Sequence, residues 1–301
     1  MRDTLFLVNP RAGSGRASRV WEAALATYPG TADAAVIASA QPELSIRVLD
    51  EWLQNGGSRL IVIGGDGSIH LALNRLFHSG RQSEVALGLV PAGTGSDLAR
   101  TLGIPSDPRA ALARALNGSQ RMVDVLAVRG EGSAGGSCRY VMNVASIGIS
   151  GLVAERVNAQ AKRRPTTYLT STLRALCTYT SFACKIEADG ESWYEGEVFL
   201  LAFANGRAFG KGMKIAPRAD VADGLADVVL IRPMPRWQIP LRMPRVFLGT
   251  HLEKPHVIWR RARQVRFEPA GPLPPFEVDG ELIPSGPAVF EVLPGALRFL
   301  G

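Results

Sequence analysis

Cysteine is scarce in this sequence of 301 residues. The three cysteines, Cys138, Cys177 and Cys184, are too few and too irregularly spaced for a disulfide framework or for a zinc site with closely paired ligands. The four histidines also lack metal-ligand spacing, so we expect them on the surface or in packing roles. The sequence therefore favours a reducing, cytosolic environment over a disulfide-stabilised or zinc-binding class.

Long apolar runs are also lacking. Stretches such as residues 198–204 are far shorter than the roughly 20 residues that a helix needs to cross a bilayer. The first four residues run straight into the apolar stretch 5–8, which leaves no room for a charged leader and a long apolar core. We therefore expect no signal peptide and only peripheral contact with a membrane.

Several common catalytic motifs are absent as well. There is no Gly-Lys-Ser/Thr of a P-loop, and residues 13–18 lack the third glycine of a dinucleotide fingerprint. There is also no Gly-x-Ser-x-Gly elbow, which argues against an ordinary serine hydrolase. These absences remove the commonest nucleotide-binding and hydrolase signatures.

Positive charge is in excess, with 34 Lys and Arg against 27 Asp and Glu and a formal net charge of +7. Most of it is arginine, which pairs well with phosphates and anionic head groups. Nucleic acid, an acidic membrane surface, a phosphorylated ligand or simply a basic surface would each fit this charge.

The first part of the chain alternates short β-rich runs with helical patterns, which predicts a parallel sheet covered by helices. The predicted strands are 4–8, 34–38, 59–63 and 85–90, and the predicted helices are 18–28, 43–54, 68–77 and 96–102.

A Gly/Ser-rich stretch at 130–137 precedes a second pattern, which consists mostly of strands. The predicted strands are 140–144, 183–188, 197–203, 226–231, 257–267 and 288–293, with helices between 151 and 179 and between 235 and 252. We therefore divide the chain into an α/β domain, 1–128, and a β-rich domain, 129–301, whose last strands are free to return to the first domain.

Three glycine-bearing turns follow apolar strands in the first domain, at residues 9–15, 64–68 and 91–97. The carboxyl ends of parallel strands share one edge, where ligands of open α/β sheets bind. Glycine lets backbone approach a phosphate, and a following helix N-terminus supplies amide donors. A single Gly-Asp-Gly is also an ordinary tight turn, but three on one edge predict phosphate binding.

Carboxylates cluster with glycine turns in the second half, in segments 205–212, 216–227 and 278–281. Carboxylate and carbonyl oxygens are suitable ligands for Mg²⁺. Each Asp-Gly pair is also readable as a hairpin turn between strands, the commoner role of such a pair in a β domain. Both interpretations stay open on the residues alone.

These motifs together resemble the diacylglycerol kinase catalytic-domain family, particularly its soluble bacterial lipid kinases. The matching motifs are Asn9-Pro10 with its glycines, Gly64-Gly65-Asp66-Gly67-Ser68, Gly93-Thr94-Gly95-Ser96-Asp97, Asp223-Gly224-Leu225 and Asp279-Gly280-Glu281. Gly-Gly-Asp-Gly alone is shared with NAD kinases and sphingosine kinases. The resemblance implies a six-phosphofructokinase-like α/β nucleotide domain followed by a β-sandwich domain, with ATP bound in the cleft between them.

The resemblance also implies roles for individual residues. The implied ATP contacts are Ser39, Gly64, Gly65, Asp66, Gly67, Ser68, Ile69, His70 and Thr94. A structural Mg²⁺ is implied at the carboxylate of Asp223 and the backbone oxygens of Asp220 and Leu225, with Asp124 joining through water. The implied general base is Glu281, with Asp279 as a residue that shares the role and Asp66 as the alternative base.

Four positions depart from the family pattern. Ser68 replaces the usual threonine and Ser96 an asparagine, and both retain a small hydrogen-bonding group, so we expect nucleotide binding to survive. His70 and Leu71 stand where asparagine and glutamate are common, which changes the polar network expected under the phosphates.

The resemblance favours a magnesium-dependent ATP kinase acting on a lipid hydroxyl, diacylglycerol or a related lipid, with a phosphomonoester such as phosphatidate as product. The alternatives are a sphingoid base or a soluble acceptor, as in NAD kinase, and, in another class, a non-catalytic nucleotide-binding regulator. We expect an anionic membrane surface as partner, through residues 162–164, 236–247 or 259–261, and no nucleic acid. A homodimer is compatible with the sequence, which does not fix the oligomeric state.

Overall fold

Parallel strands form the centre of the first half of the chain. The computed structural model describes residues 3–28, 34–93, 95–131, 138–158, 175 and 178–301. Contacts divide the chain into a first unit, Met1–Val125 with Pro294–Gly301, and a second unit, Leu126–Leu293. The sequence-based division placed the boundary after residue 128.

The sheet of the first unit consists of parallel strands in the order β2-β1-β3-β4, and the end of a late strand, β16, pairs with β4 in parallel. Their bounds are β1 Thr4–Val8, β2 Ala35–Ala38, β3 Arg59–Gly64, β4 Ala86–Pro91 and β16 Ala288–Leu300. β1 and β4 are buried along their whole length, as expected for strands covered on both faces.

Helices follow the strands of this sheet. They are α1 Arg16–Thr27, α2 Pro42–Gln54, α3 Asp66–His78, α4 Asp97–Thr101 and α5 Pro108–Asn117. α5 has no counterpart among the predicted helices. Its start carries the usual signals, because the Asp107 side chain accepts the N–H of Ala110 at 2.9 Å and Pro108 occupies the first helical position.

The second unit is a β-sandwich. One sheet is antiparallel in the order β12-β11-β10-β7-β14-β15. Its strands are β7 Val144–Gly148, β10 Leu200–Ala204, β11 Ala226–Ile231, β12 Val257–Ala262, β14 Phe276–Val278 and β15 Glu281–Ile283. The predicted class, an α/β domain followed by a β-sandwich, is confirmed.

The other sheet of this unit has the order β16-β13-β8-β9, with β5 paired to β16 and to β6. The remaining strands are β5 Gln120–Gly130, β6 Arg139–Val141, β8 Phe182–Ala188, β9 Glu191–Val198 and β13 Gln264–Pro269. Alternate residues of β8 are buried, so one of its faces lines the core. The division between the units falls inside β5 and β16.

Aromatic rings fill the core of the second unit. Phe276 meets Phe267 and Phe290 edge to face, with ring centroids 5.8 and 5.6 Å apart. Such pairs add about 0.5–1.5 kcal/mol each beyond the area they bury.

Two predicted strands are interrupted, and in each case a distant carboxylate explains the break. Residues 140–144 form the end of β6 and the start of β7, because the N–H groups of Met142 and Asn143 donate to Asp279. Residues 257–267 divide into β12 and β13, because the N–H groups of Arg263 and Gln264 both donate to Asp189 Oδ1 at 2.9 Å.

Among the described residues of the second unit, the helices with defined bounds are α6 Ile149–Asn158 and α7 Gln238–Leu248. Most of the helix predicted between 151 and 179 lies outside the described residues, as do Cys177 and nearly all of the segment 130–137. Within the described part of the chain, no helix is long and apolar enough to cross a membrane.

Candidate functional site

The three glycine turns of the first unit lie in contact with one another. They follow β1, β3 and β4, which are neighbouring parallel strands and therefore end at the same edge. A methyl group on Gly13 would lie 2.1 Å from the carbonyl oxygen of Ala92, and one on Gly93 would lie 2.7 Å from the Cα of Gly65. The structure thus brings all three predicted turns together.

Packing between the second and third turns requires glycine at position 93 and leaves little room for a side chain at position 65. The N–H groups of Ala92 and Gly93 donate to the carbonyl of Gly64 at 2.8 and 3.2 Å, which fixes the two backbones side by side. No side chain can enter between the Cα atoms of Gly65 and Gly93 without displacing backbone. Gly65 and Gly93 therefore hold two turns as one continuous surface, a structural role in addition to any contact with a ligand.

The N-terminus of α3 lies in this surface. Its N-cap residue is Gly65, which has no side chain of its own to cap the first amides. The first amides of an uncapped helix, together with its dipole, favour an anion such as a phosphate group. Asp66 stands in the first turn, and a methyl group on Gly95 would lie 2.6 Å from its Oδ2, so the third turn runs directly over this carboxylate.

A hydrogen bond links the first turn to the second. The side-chain amide of Asn9 donates to Ser68 Oγ at 3.3 Å, and the Asn9 N–H donates to the carbonyl of Ile63 at 3.1 Å. The serine that replaces the family's threonine thus keeps a hydroxyl at this position. Gly67 and Ser68 lie in the first turn of α3, and their contacts with ATP stay predictions.

The other predicted ATP contacts are placed less directly. Ile69 and His70 are buried on the core side of α3, and the Ile69 N–H already donates to the carbonyl of Gly65. Ser39 follows β2, and its Oγ accepts the N–H of Gln41 at 3.0 Å. Thr94 lies outside the described residues. The roles of these four residues remain untested predictions.

The predicted magnesium ligands of the second unit form two consecutive Asp turns. Asp220 Oδ1 accepts the N–H of Ala222, and Asp223 Oδ1 accepts the N–H of Leu225, each at 3.1 Å. No group of three His, Cys, Asp or Glu side chains in the described ranges could hold a metal by itself. A cation here therefore needs backbone oxygens as well, which agrees with the donor set that the resemblance implies.

Asp227, which the sequence reasoning did not single out, lies beside this turn. Its Oδ1 is 3.3 Å from Arg261 Nε, and Arg261 Nη1 is 3.5 Å from Asp223 Oδ2. Within the described ranges, the Oδ2 of Asp227 is buried and has no hydrogen-bond partner. Burial raises the pKa of Asp227, Arg261 opposes this effect, and Asp223 adds to it. The unpartnered carboxylate oxygen fits a divalent cation bound at this turn.

Asp124 belongs to the first unit. It is buried, and its Oδ1 accepts the N–H of Gly295 at 2.7 Å, which ties β5 to the last part of β16. Its predicted link to magnesium through water stays a prediction.

The Asp279-Gly280 pair is a two-residue hairpin turn between β14 and β15. Both residues have positive φ, 50° and 90°, and Val278 pairs with Glu281 across the turn. This is the geometry of a type I′ turn, for which Asp-Gly is a favoured sequence. The hairpin interpretation is therefore correct as structure, and it places Glu281 at the first position of β15 with its side chain exposed.

The two carboxylates of this turn have different environments. Asp279 Oδ1 accepts the N–H groups of Asn143 and Val144 at 3.0 and 3.1 Å, and its Oδ2 accepts that of Met142 at 2.9 Å. No described residue forms an ion pair or a side-chain hydrogen bond with Glu281. Asp279 therefore anchors the hairpin, whereas Glu281 presents a free carboxylate.

Glu277 supports the same hairpin and was missed by the sequence reasoning. Although it is a buried acid, its Oε1 accepts the N–H of Gly280 at 2.7 Å and its Oε2 accepts the Ser146 hydroxyl at 2.6 Å. The available signal was an acidic residue between Phe276 and Val278 on a short apolar strand.

Comparison with known proteins assigns both parts of the chain to described families. Residues 3–128 match the family described as "Diacylglycerol kinase catalytic domain". Residues 143–301 match the family described as "YegS C-terminal NAD kinase beta sandwich-like domain".

Individual relatives agree with these matches. The chain is 29% identical over 301 residues to a Mycobacterium tuberculosis (strain ATCC 25618 / H37Rv) protein named "Diacylglycerol kinase", covering 98% of this chain and 93% of the relative. It is 31% identical over 256 residues to a Pseudomonas aeruginosa (strain UCBPP-PA14) protein named "Probable lipid kinase YegS-like", covering 84% and 79%. A solved structure of a diacylglycerol kinase from Bacillus anthracis str. Sterne shares the fold, with a TM-score of 0.72, 21% identity and coverage of 99% and 96%.

Proposed function

Because this chain belongs to the diacylglycerol kinase family of lipid kinases, we propose that it transfers the γ-phosphate of ATP to a lipid hydroxyl group. Diacylglycerol, or a lipid closely related to it, is the proposed acceptor. The name of the Mycobacterium tuberculosis relative supports this choice.

The joined glycine turns support ATP as the donor. The uncapped N-terminus of α3 offers amides and a favourable dipole to the phosphates, and the Gly65–Gly93 contact keeps bulky side chains away from them. Asp220, Asp223 and Leu225 would hold the structural Mg²⁺, and Asp227 adds negative charge beside them. A bound Mg²⁺ supplies charge neutralisation, which together with positioning dominates phosphoryl transfer.

The observation that carries the assignment of the base is the contrast between Asp279 and Glu281. The acceptor hydroxyl is a poor nucleophile at neutral pH, so it needs a carboxylate that takes its proton. Glu281 is the free carboxylate of the hairpin, whereas Asp279 is held by three backbone N–H groups. In the proposed step, a Glu281 oxygen accepts the hydroxyl proton, the lipid oxygen bonds to the γ-phosphorus, and ADP leaves.

Incubation of the purified protein with γ-labelled ATP, Mg²⁺ and a panel of acceptors tests this function. The panel contains diacylglycerol and a sphingoid base in mixed micelles, together with soluble NAD, and Glu281→Gln serves as the matched control. Label in the diacylglycerol fraction, strongly reduced in the control, is the expected result. Label in NAD would indicate a soluble acceptor, and ATP binding without transfer to any acceptor would indicate a non-catalytic regulator.

A further inference from the structure

Helix α7 and the residue before it carry an exposed apolar stripe. Trp237, Leu241 and Leu248 are 69%, 68% and 69% exposed. Of the eight large hydrophobic residues exposed in the described ranges, four lie within residues 237–248. Isolated exposed hydrophobics are ordinary, but a concentration of them on one short helix marks an interaction surface.

The spacing of these residues places them on one face. Trp237, Leu241, Pro244 and Leu248 follow one another at intervals of four, three and four residues, which aligns them along a helix. Ile239, the buried residue of this helix, lies on the opposite face. The stripe therefore points away from the core of the second unit, and Phe247, 44% exposed, widens it on one side.

Arginines on α7 and in the chain before it have no carboxylate partner among the described residues. In the described part of the chain, Arg232, Arg236, Arg242 and Arg245 form no ion pair. Their side-chain hydrogen bonds go to neutral groups: Arg242 to Gln238 at 2.7 Å, Arg232 to the carbonyl of Pro255 at 3.1 Å, and Arg236 to the carbonyl of Tyr179 at 3.5 Å.

Three of these arginines, Arg232, Arg242 and Arg245, act on the same side chain, His256. Arg242 Nη1 lies 2.7 Å from His256 Nδ1. The pKa of His256 is lowered first by burial and then by Arg242, Arg245, His251 and Arg232. Arg242 and Arg245 of α7 thus lie close to Arg232, which groups their positive charges.

The other basic segments considered for membrane contact differ from this one. Arg260 faces Glu191 at 3.9 Å, and Arg261 pairs with Asp223 and Asp227. Residues 162–164 lie outside the described residues. Among the three segments, only 236–247 has described arginines that are free of carboxylates.

We propose that α7, with Trp237 and the surrounding arginines, docks this enzyme on the surface of an anionic lipid bilayer. The inference rests on the proposed function in one respect: a diacylglycerol acceptor resides in a bilayer. A helix of 11 residues is about 16 Å long, too short to span but suitable for lying in the interface. Leucine and tryptophan enter the boundary of the acyl chains, and arginines contact lipid phosphates.

Vesicle sedimentation without ATP or acceptor lipid tests the surface independently of catalysis. The probes are phosphatidylcholine vesicles with and without about 30% phosphatidylglycerol, at low and physiological salt. Leu241→Ser with Leu248→Ser removes the stripe, and Arg242→Glu with Arg245→Glu reverses the charge. Leu44→Ser in α2 and Arg109→Glu in α5 are matched controls, because both residues lie in the first unit and are exposed.

Each double variant is expected to weaken binding to anionic vesicles by at least about tenfold, and the controls by less than about twofold. The effect of charge reversal shrinks as salt rises. Circular dichroism melting establishes that the variants fold. Unchanged binding by either folded double variant would overturn the proposal. A second result would also overturn the proposal: the leucine variant is a monomer, the wild type is a dimer, and vesicle binding is unchanged. The stripe would then be the interface between two copies of the chain.

Kinase activity distinguishes this inference from the proposed function. A short-chain diacylglycerol below its critical micelle concentration is dissolved as monomers, so its phosphorylation needs no bilayer. The α7 variants should retain kinase activity on this acceptor. Normal activity with unchanged vesicle binding would refute the docking surface alone. Impaired docking in a protein without kinase activity would refute the proposed function alone.

Discussion

Asp279 Oδ1 accepts the backbone N–H of Asn143 at 3.0 Å, across 136 residues of sequence. With the bonds from Met142 and Val144, it ties the β14–β15 hairpin to the start of β7. An anchoring carboxylate, Asp279, and the carboxylate proposed as the base, Glu281, thus stand two residues apart. Substitution of Asp279 should therefore lower stability, whereas substitution of Glu281 should lower catalysis.

Glu281→Gln should lower kcat by about 10²- to 10⁴-fold, because the amide cannot take the hydroxyl proton. Its Tm should stay at the wild-type value, since the exposed Glu281 carboxylate has no described partner. Steady-state kinetics and thermal unfolding measure the two effects. Near-normal turnover in Glu281→Gln, with turnover lost and ATP binding preserved in Asp66→Asn, would transfer the role to Asp66.

Asp279→Asn should destabilise the protein by about 1–3 kcal/mol, because one of three backbone N–H groups then faces an amide donor instead of an acceptor. Urea unfolding measures this loss. A variant with wild-type stability but strongly reduced kcat would instead assign the chemistry to Asp279.

Gly93→Ala should weaken ATP binding and cost about 1–3 kcal/mol of stability, because its methyl group would lie 2.7 Å from the Cα of Gly65 and force the two turns apart. Gly286→Ala is the control, since nothing lies within 4 Å of its added methyl group and its φ is not positive. Calorimetric titration with a non-hydrolysable ATP analogue tests the pair. If Gly93→Ala bound the analogue as tightly as the wild type, the Gly65–Gly93 contact would not be part of the nucleotide site.

Asp223→Asn should reduce the magnesium retained by the purified protein, whereas Asp220→Asn should not. Asparagine can still accept the turn hydrogen bond in both cases, so the comparison isolates the charge. Only the backbone oxygen of Asp220 is an implied ligand. Metal analysis and the increase of Tm with added Mg²⁺ are the measurements. Equal magnesium in wild type and Asp223→Asn would place the ion elsewhere.

Burial raises the pKa of Cys184 from its ordinary value of 9.0 to about 12. Above about pH 8.5 the unfolded thiol ionises while the folded one stays protonated, so the free energy of unfolding should fall as pH rises. Cys184→Ala removes this contribution and should flatten the fall between about pH 8 and pH 10. Urea unfolding across this range gives the slopes. Identical slopes would mean that the thiol ionises equally in both states.

The sequence was informative where local pattern and topology agree. The apolar strands β1, β3 and β4 with their helices indicated a parallel sheet, which placed the glycine turns at one edge. The Asp279-Gly280 turn was readable from its two residues.

The sequence did not predict the local backbone conformation where a distant side chain determines it. The breaks at Met142 and Arg263 depend on Asp279 and Asp189, at least 74 residues away. No local pattern contains such a bond. Likewise, the contrast between Asp279 and Glu281 follows from the three backbone N–H groups that donate to Asp279 alone, not from residue type.

The pairing of β4 with residues 299–300 of β16 has a consequence for biosynthesis. Residues 294–301 are translated after the whole second unit, so this edge of β4 has no partner while most of the chain is being made. An unpaired strand edge is a template for addition of another strand, and such distant pairing slows folding. The nascent chain is thus open to misassociation at this edge of the sheet that bears the glycine turns, and a chaperone that shields it would act before translation ends.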